Sequence, residues 1–300
     1  MDRLDRMSLF VRIVERGSFS DAAADLGMAR STATEAIKVL EHSLGVRLLE
    51  RTTRHVTPTL DGQEYYQRCL SILGDIEDAE GLFRNSSPAG LLRIDAHGYL
   101  TRTFILPRLP EFLERYPELN IHFGQTDRFV DLVREGVDCV IRAGELNDSS
   151  MIARHLGDID EVTIASADYI RKFGLPATPD DLGGHQMVGF VSSRTGETMP
   201  LEFQIEGKVK YVDLPSRVTA NNSNTVAELA RLGFGIMQAP RYHFAEELAR
   251  GTLIELLADY PPVPIPLAAV YPQNRQITRR LRVFLDWVSE IFASADLQGR

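Results

Sequence analysis

MARSTATEAIKVLEHSLG, residues 28–45, is the stretch on which the reading of the chain turns. Ala33, Ile37, Leu40 and Leu44 recur at helical spacing, and Gly45 is a good residue for a helix to end on. Opposite that apolar stripe stand Ser31, Thr34, Glu35 and Lys38, with Arg30 at the start. Upstream, Met7, Phe10 and Val14 mark a first helix that Gly17 ends, and Ser18 or Ser20 can cap a second. That second helix, DAAADLG, is short and rich in alanine, which lets two helix backbones approach closely. Downstream, VRLLERTTRHVTP (residues 46–58) reads as two short strands around a basic turn at 51–54. A helix, a helix–turn–helix and a basic hairpin together predict a winged helix-turn-helix over residues 1–58.

The bulk composition sets limits. The chain has 300 residues, 44% hydrophobic and 25% charged, which suits two or three soluble domains. No apolar run reaches the roughly 20 residues that span a bilayer, and the N-terminus lacks a signal peptide's apolar segment, so the expected compartment is the cytoplasm. The net charge of −9 gives no global attraction for nucleic acid. Locally the balance inverts: Arg30, Lys38, Arg47, Arg51 and Arg54 face only Glu35, Glu41 and Glu50, and His55 follows. Cys69 and Cys139 fit no disulfide framework or metal spacing and read as small buried hydrophobes.

Residues 59–85 predict one long helix. Tyr65, Cys69, Ile72, Ile76, Ala79 and Phe83 follow a heptad seam, and with no neighbouring segment left to cover it, a self-pairing helix and a dimer are expected. SSPAG (86–90) reads as a hinge. From Leu91 onward strands alternate with helices: LLRIDA, a helix over 102–117 despite Pro107 and Pro110, LNIHFG, a helix over 128–136, and VDCVIRAG. Further strands (VTIAS, QMVGFV, KVKYVDL, RVTA, PLAAVYP) alternate with helices near 224–233, 241–251 and 277–293. This alternation predicts α/β domains with mainly parallel sheets.

The run FVRIVERGSFSDAAADLGMARSTATEAIKVLEHSLGVRLLERTTRHVTPTLDG resembles the LysR-type transcriptional regulators in the order and separation of its blocks. LPRLPEFLERYPELNI and VDCVIRAG are similar to the early part of that family's effector domain. The resemblance implies a winged DNA-binding domain, a dimerising linker helix and a two-lobed effector domain like a periplasmic binding protein. It implies homodimers, and homotetramers in many members. Lobe one is expected at 91–163 plus 267–300, and lobe two at 164–266. The implied partners are promoter DNA and a small-molecule effector, with no cofactor.

Within that frame the outer face of the third helix carries the candidate DNA contacts Arg30, Ser31, Thr32, Thr34, Glu35 and Lys38, joined by Arg51, Thr53, Arg54 and His55 of the wing. Arg30 suits guanine O6/N7, Glu35 suits cytosine N4, and Lys38 suits a phosphate. Glu35 has a competing role, since Thr32-x-x-Glu35 fits a capping box. Family members often carry serine where Ala29 stands and a basic or amide residue where Glu35 stands, which points to a different operator sequence. The resemblance places effector contacts at His97, Gly98, Tyr99, Leu100, Thr101 and Arg102, at Gln125 and Asp127, and at Arg142. In lobe two it places them at Phe190, Ser192 and Ser193 and at Asn221, Asn222 and Thr225. Arg142 serves equally as an ion-pair partner, Asn221 and Asn222 equally as helix caps, and Tyr99 and Phe190 equally as core. The rival readings are an enzyme or a small-molecule binding protein without a DNA role. No GxGxxG after a strand, GxxxxGK[ST], GxSxG or HExxH supports the first, and the second leaves the basic hairpin unused.

Overall fold

The computed structural model describes all residues except 52–55, 85–86, 126–127, 129–130, 145–150, 274–276 and 298–300, and no side chain is described at 51, 75, 77–84 or 133–134. The winged unit comprises α1 (Arg3–Arg16), α2 (Phe19–Asp25), α3 (Arg30–Leu44), β1 (Leu49–Arg51) and β2 (Val56–Pro58), followed by α4 (Leu60–Arg84). Local chemistry explains its boundaries. Asp2 and Asp5 form a reciprocal capping box on α1, and Ser18 accepts a hydrogen bond from the Asp21 N–H to start α2. Gly45 closes α3 in the left-handed region at φ 72°, donating to the Glu41 and His42 carbonyls. The core gathers Leu9, Phe10 and Ile13 of α1, Ala22 and Ala23 of α2, and Ala33, Ile37 and Leu40 of α3.

The expected seam on α4 needs a correction at its start. Tyr65 and Cys69 belong to this same core: Cys69 is fully buried and the Tyr65 ring lies 5.4 Å from Phe10. The cover that the sequence pattern does not reveal is α1, which runs alongside α4. Ile72 is exposed and Ile76 half-buried, while the side chains of Ala79 and Phe83 lie outside the described residues. Gly62, in the first turn of α4, allows a close approach to the chain before β1. A Cβ there would sit 1.9 Å from the Leu48 carbonyl oxygen.

Lobe one follows as β3 (Gly90–Ala96), α5 (Gly98–Leu100), α6 (Leu109–Arg115), β4 (Leu119–Gly124), α7 (Leu132–Glu135), β5 (Cys139–Ala143) and β6 (Met151–Ile159). Between α5 and α6 the chain stays helical through a π turn at 101–105 and a 3-10 turn at 106–108. Pro107 and Pro110 each fall in the first turn of a helical piece, where a missing N–H breaks no bond. That is how a helix survives two prolines.

Lobe two holds β7 (Glu161–Ser166), α8 (Ala167–Phe173), β8 (Gly189–Phe190), β9 (Leu201–Ile205), β10 (Lys208–Val212), β11 (Thr219–Ala220), α9 (Ser223–Arg231), β12 (Met237–Pro240), α10 (Ala245–Arg250) and β13 (Leu253–Leu256). The chain then returns to lobe one as β14 (Ile265–Pro272) and α11 (Arg279–Ser294). The first sheet has the order β4-β3-β5-β14-β6, and the second has β12-β7-β13.

The expectation of mainly parallel sheets is corrected. β3 pairs in parallel with β4 and β5, but β14 runs antiparallel to β5 and β6, and β7 runs antiparallel to β12 and β13. The strands that carry the chain out of one lobe and back from the other run in opposite senses, so the crossovers bring antiparallel pairing. They also move the lobe boundary. β6 ends at Ile159 in the first sheet and β7 begins at Glu161 in the second, so the switch falls at Asp160, not at 163. On the return β14 starts at Ile265, ahead of the expected 267.

Candidate nucleic-acid and effector sites

The outer face of α3 is exposed to solvent and its inner face is buried. Its inner face is tied down by Ala33, Ile37 and Leu40, while Arg30, Ser31, Thr32, Glu35 and Lys38 are exposed and Thr34 half-exposed. The helix begins at Arg30, with Ala29 in the cap position and no side-chain cap hydrogen bond. Thr32 therefore lies inside the helix, and the capping-box alternative for Glu35 is overturned. Glu35 points into solvent and pairs with Lys38 at 3.6 Å, a loose exposed ion pair that is readily exchanged for another partner.

An ion pair and a carboxylate bound to backbone N–H groups brace the unit that carries this face. Arg16 donates to both carboxylate oxygens of Asp25 at 2.7 and 2.9 Å, which locks α1 to α2. Glu41 accepts the Leu48 and Leu49 N–H groups at 2.8 and 3.1 Å, which fixes the start of the wing against α3. Glu41 thus faces its own wing. Arg51 pairs with Val56 in the β1–β2 ladder, and Val56 donates its N–H to the Gly17 carbonyl. Thr53, Arg54 and His55, predicted on the wing, lie outside the described residues.

The second candidate site is the seam between the lobes. β8 and β11 pair, and the Val191 N–H donates to the Ala220 carbonyl, which brings the Phe190 and Asn221 regions together. Lobe one meets them through His97, whose Nε2 lies 2.5 Å from the Ser223 Oγ at the start of α9. Gln125 lies beside Gly98, with its Oε1 3.2 Å from where a Cβ would stand. Asp127 lies outside the described residues.

Many of the predicted contacts have structural occupations here. The Tyr99 ring stacks on His243 at 4.2 Å, its hydroxyl accepts from Arg231 at 3.3 Å, and Arg102 lies over its face at 4.7 Å. Leu100 and Thr101 are buried, and the Thr101 hydroxyl donates to the His97 carbonyl. Arg142 donates to the Arg128 carbonyl at 2.6 Å and pairs with buried Asp95 at 3.5 Å, so it ties a loop to the sheet. Asn222 caps α9 by accepting the Thr225 N–H at 3.1 Å. Phe190 packs against the lobe-two core, and the Ser192 hydroxyl accepts from Arg194 within a closed turn. Ser193 is exposed.

Sequence reasoning missed Ser223, Arg231, Tyr242 and His243. Arg231 also pairs with Glu228 at 2.7 Å and Glu247 at 2.6 Å, and Tyr242 meets Phe104 edge-on at 4.9 Å. His243 is buried, with no hydrogen-bond partner on Nε2. Burial first, then the charges of His97, Arg231 and Arg102, push this imidazole down to about 3, so the ring is neutral at pH 7. No periodicity marks these residues; only their convergence does. A groove of about 580 Å³ opens elsewhere on lobe two, between residues 179–186 and 210–215, and none of its lining residues was predicted.

Comparison with known proteins gives a consistent picture. Residues 4–63 match the model for bacterial regulatory helix-turn-helix proteins of the lysR family, and residues 85–293 match the LysR substrate binding domain. The chain is 37% identical to the uncharacterized HTH-type transcriptional regulator YhjC of Escherichia coli K12, over 97% of this chain and 98% of that one. It is 35% identical to an HTH-type transcriptional repressor of Pseudomonas aeruginosa, covering 98% and 93% of the two chains. Among solved structures it is similar to CrgA, a LysR-type transcriptional regulator from Neisseria meningitidis, with 34% identity, a TM-score of 0.60, and coverage of 97% and 99%. A DNA-reading unit and a two-lobed sensing unit in one chain, matched along nearly the whole length, place this protein in the LysR family of DNA-binding transcription regulators, a family of regulators and not of enzymes.

Proposed function

We propose that the protein binds paired operator half-sites as a homodimer in the cytoplasm and that a small molecule held between its lobes changes how the pair sits on DNA. The carrying observation is the free outer face of α3, with Arg30 at its start and exposed hydroxyl and charged side chains along it. A recognition helix places such N-terminal side chains on base edges in the major groove. Arg30 reads guanine, Glu35 accepts from cytosine, Ser31, Thr32 and Thr34 take phosphates or a thymine methyl, and Lys38 takes a phosphate. The wing residues Arg51, Thr53, Arg54 and His55 reach the backbone or minor groove. Two such units, spaced roughly 34 Å apart or a multiple of it, match the geometry of a two-fold operator.

The effector acts through its differential affinity for two arrangements of lobes and subunits. His97, Asn221 and the turn after Phe190 converge at the lobe seam and support a site there. The test is binding to the promoter upstream of the protein's own gene. Affinity falls steeply as salt rises, because each neutralised phosphate releases counterions. Salt-independent binding, or no preference for that fragment over unrelated DNA, refutes the proposal.

A further inference from the structure

Among the described residues the largest fully buried side chain is a cation, Arg280, and it lies between two functional units. Arg280, in the first turn of α11, is only 2% exposed. Its Nη1 donates to the Gly74 carbonyl of α4 at 3.0 Å, and its Nη2 stands 3.9 Å from the Asp138 carboxylate that precedes β5. Asp138 is itself fixed, since its Oδ2 accepts the Arg93 N–H of β3 at 2.8 Å and its own N–H donates to the Arg93 carbonyl. One guanidinium therefore joins α4 to β3, β5 and α11 of lobe one.

Gly74 is the matching half. Glycine weakens a helix interior relative to alanine, so its presence mid-helix needs a reason. A Cβ at this position would lie 2.9 to 3.2 Å from the guanidinium atoms of Arg280. The plane of the cation occupies the space that any larger residue would fill. A second close approach lies earlier on α4: a Cβ on Gly136, after α7, would rest 3.5 Å from the Gln67 Cβ.

We infer that the Arg280–Gly74 joint clamps α4 to lobe one so that the winged unit and lobe one turn as one body, making Arg280 the positioning residue that sets the spacing of the two DNA-reading helices. A buried cation lodged against a helix carbonyl has no water to fall back on, so the joint does not slide. Rotation of lobe one then reaches α3 through α4. The DNA half of this inference rests on the paired half-site reading above, and the joint itself does not.

Two measurements test it on the full chain. Spin labels go on His42→Cys in the winged unit and Glu114→Cys in lobe one, both exposed, while Cys69 and Cys139 are buried and stay unlabelled. The interspin distance distribution should be narrow in the parent and broad in both Gly74→Ala and Arg280→Met. The double variant should be no broader than either single one. Equal widths in parent and variants overturn the joint, and Gly74→Ala keeps the test decisive if Arg280→Met folds poorly. The second measurement inserts 5 bp, about half a helical turn, between the protected half-sites of the protein's own promoter. The parent should lose at least about tenfold in affinity, and the Gly74→Ala variant no more than about threefold. A joint that is rigid by spin label but does not affect spacing leaves the clamp standing and refutes the half-site reading.

Discussion

The outer face of α3 and the seam between the lobes were both marked by the same kind of residue: hydroxyl, amide and cationic side chains near helix starts. The structure treats them oppositely. On α3 these side chains are exposed, and Glu35 and Lys38 form a loose exposed pair. At the seam, Tyr99 stacks on His243, Asn222 caps α9 and Arg142 holds Asp95. Polar residues on a free face stay available to a partner; the same residues at a junction are first used to satisfy one another. A candidate ligand contact at a seam must therefore be weighed against the packing it already does.

If the α3 face is free only because its scaffold is rigid, damage should be greatest in the scaffold. Gly62→Ala drives a Cβ into the Leu48 carbonyl, and it should destabilise the winged unit by about 3 kcal/mol and abolish promoter binding. Circular dichroism melts and mobility shifts check this together; a variant with native stability refutes the close packing of α4. The seam comes next. Tyr99→Ala removes a ring stack, a hydrogen bond from Arg231 and the platform for Arg102. It should cost about 2 to 3 kcal/mol of effector-domain stability in urea unfolding.

On the free face the effect should move from stability to binding. Arg30→Ala should leave the melting temperature unchanged and weaken binding of the preferred operator by about 2 kcal/mol, some thirtyfold. Lys38→Ala should weaken all sequences about equally and lower the salt slope by about 1. A reversed pattern, seen by competition binding, would falsify the assignment of reader and phosphate anchor.

The seam should also respond to acid. His243 is held neutral well below its ordinary value, at about 3. Its folded form resists a proton that the unfolded chain accepts below about pH 6.5, so stability is full above that pH and falls as pH drops toward 3. At pH 5.5 the loss is about 1.4 kcal/mol. The melting temperature of the parent should therefore drop between pH 7.5 and 5.5 by more than that of His243→Asn. The smallest effect is at Asn222. If its work is capping, Asn222→Ala costs about 1 kcal/mol of stability, and Asn222→Asp, which keeps the accepting oxygen, restores it. Failure of aspartate to restore stability would break the capping assignment.

The sequence by itself determined the winged unit and part of the strand–helix alternation beyond it, but not β6, α8, β9, β12 or β13. The reason is range: helical periodicity, Gly17 and Gly45 at helix ends, Ser18 as a cap, and the β1–β2 pairing all act among residues close in the chain. Pro107 and Pro110 were legible as tolerable for the same reason. The tertiary structure alone decided which face of α4 is covered, because α1 supplies that cover from far upstream. It decided the lobe switch at Asp160 and the antiparallel strands, since crossover direction is a property of two sheets and not of either segment. It also decided among roles that one residue type serves equally well. His97 meets Ser223 across 126 residues, and Arg280 meets Gly74 across 206. Glu35 illustrates both kinds of determination: its spacing from Thr32 left cap and reader open, and the start of α3 at Arg30 turned its carboxylate outward.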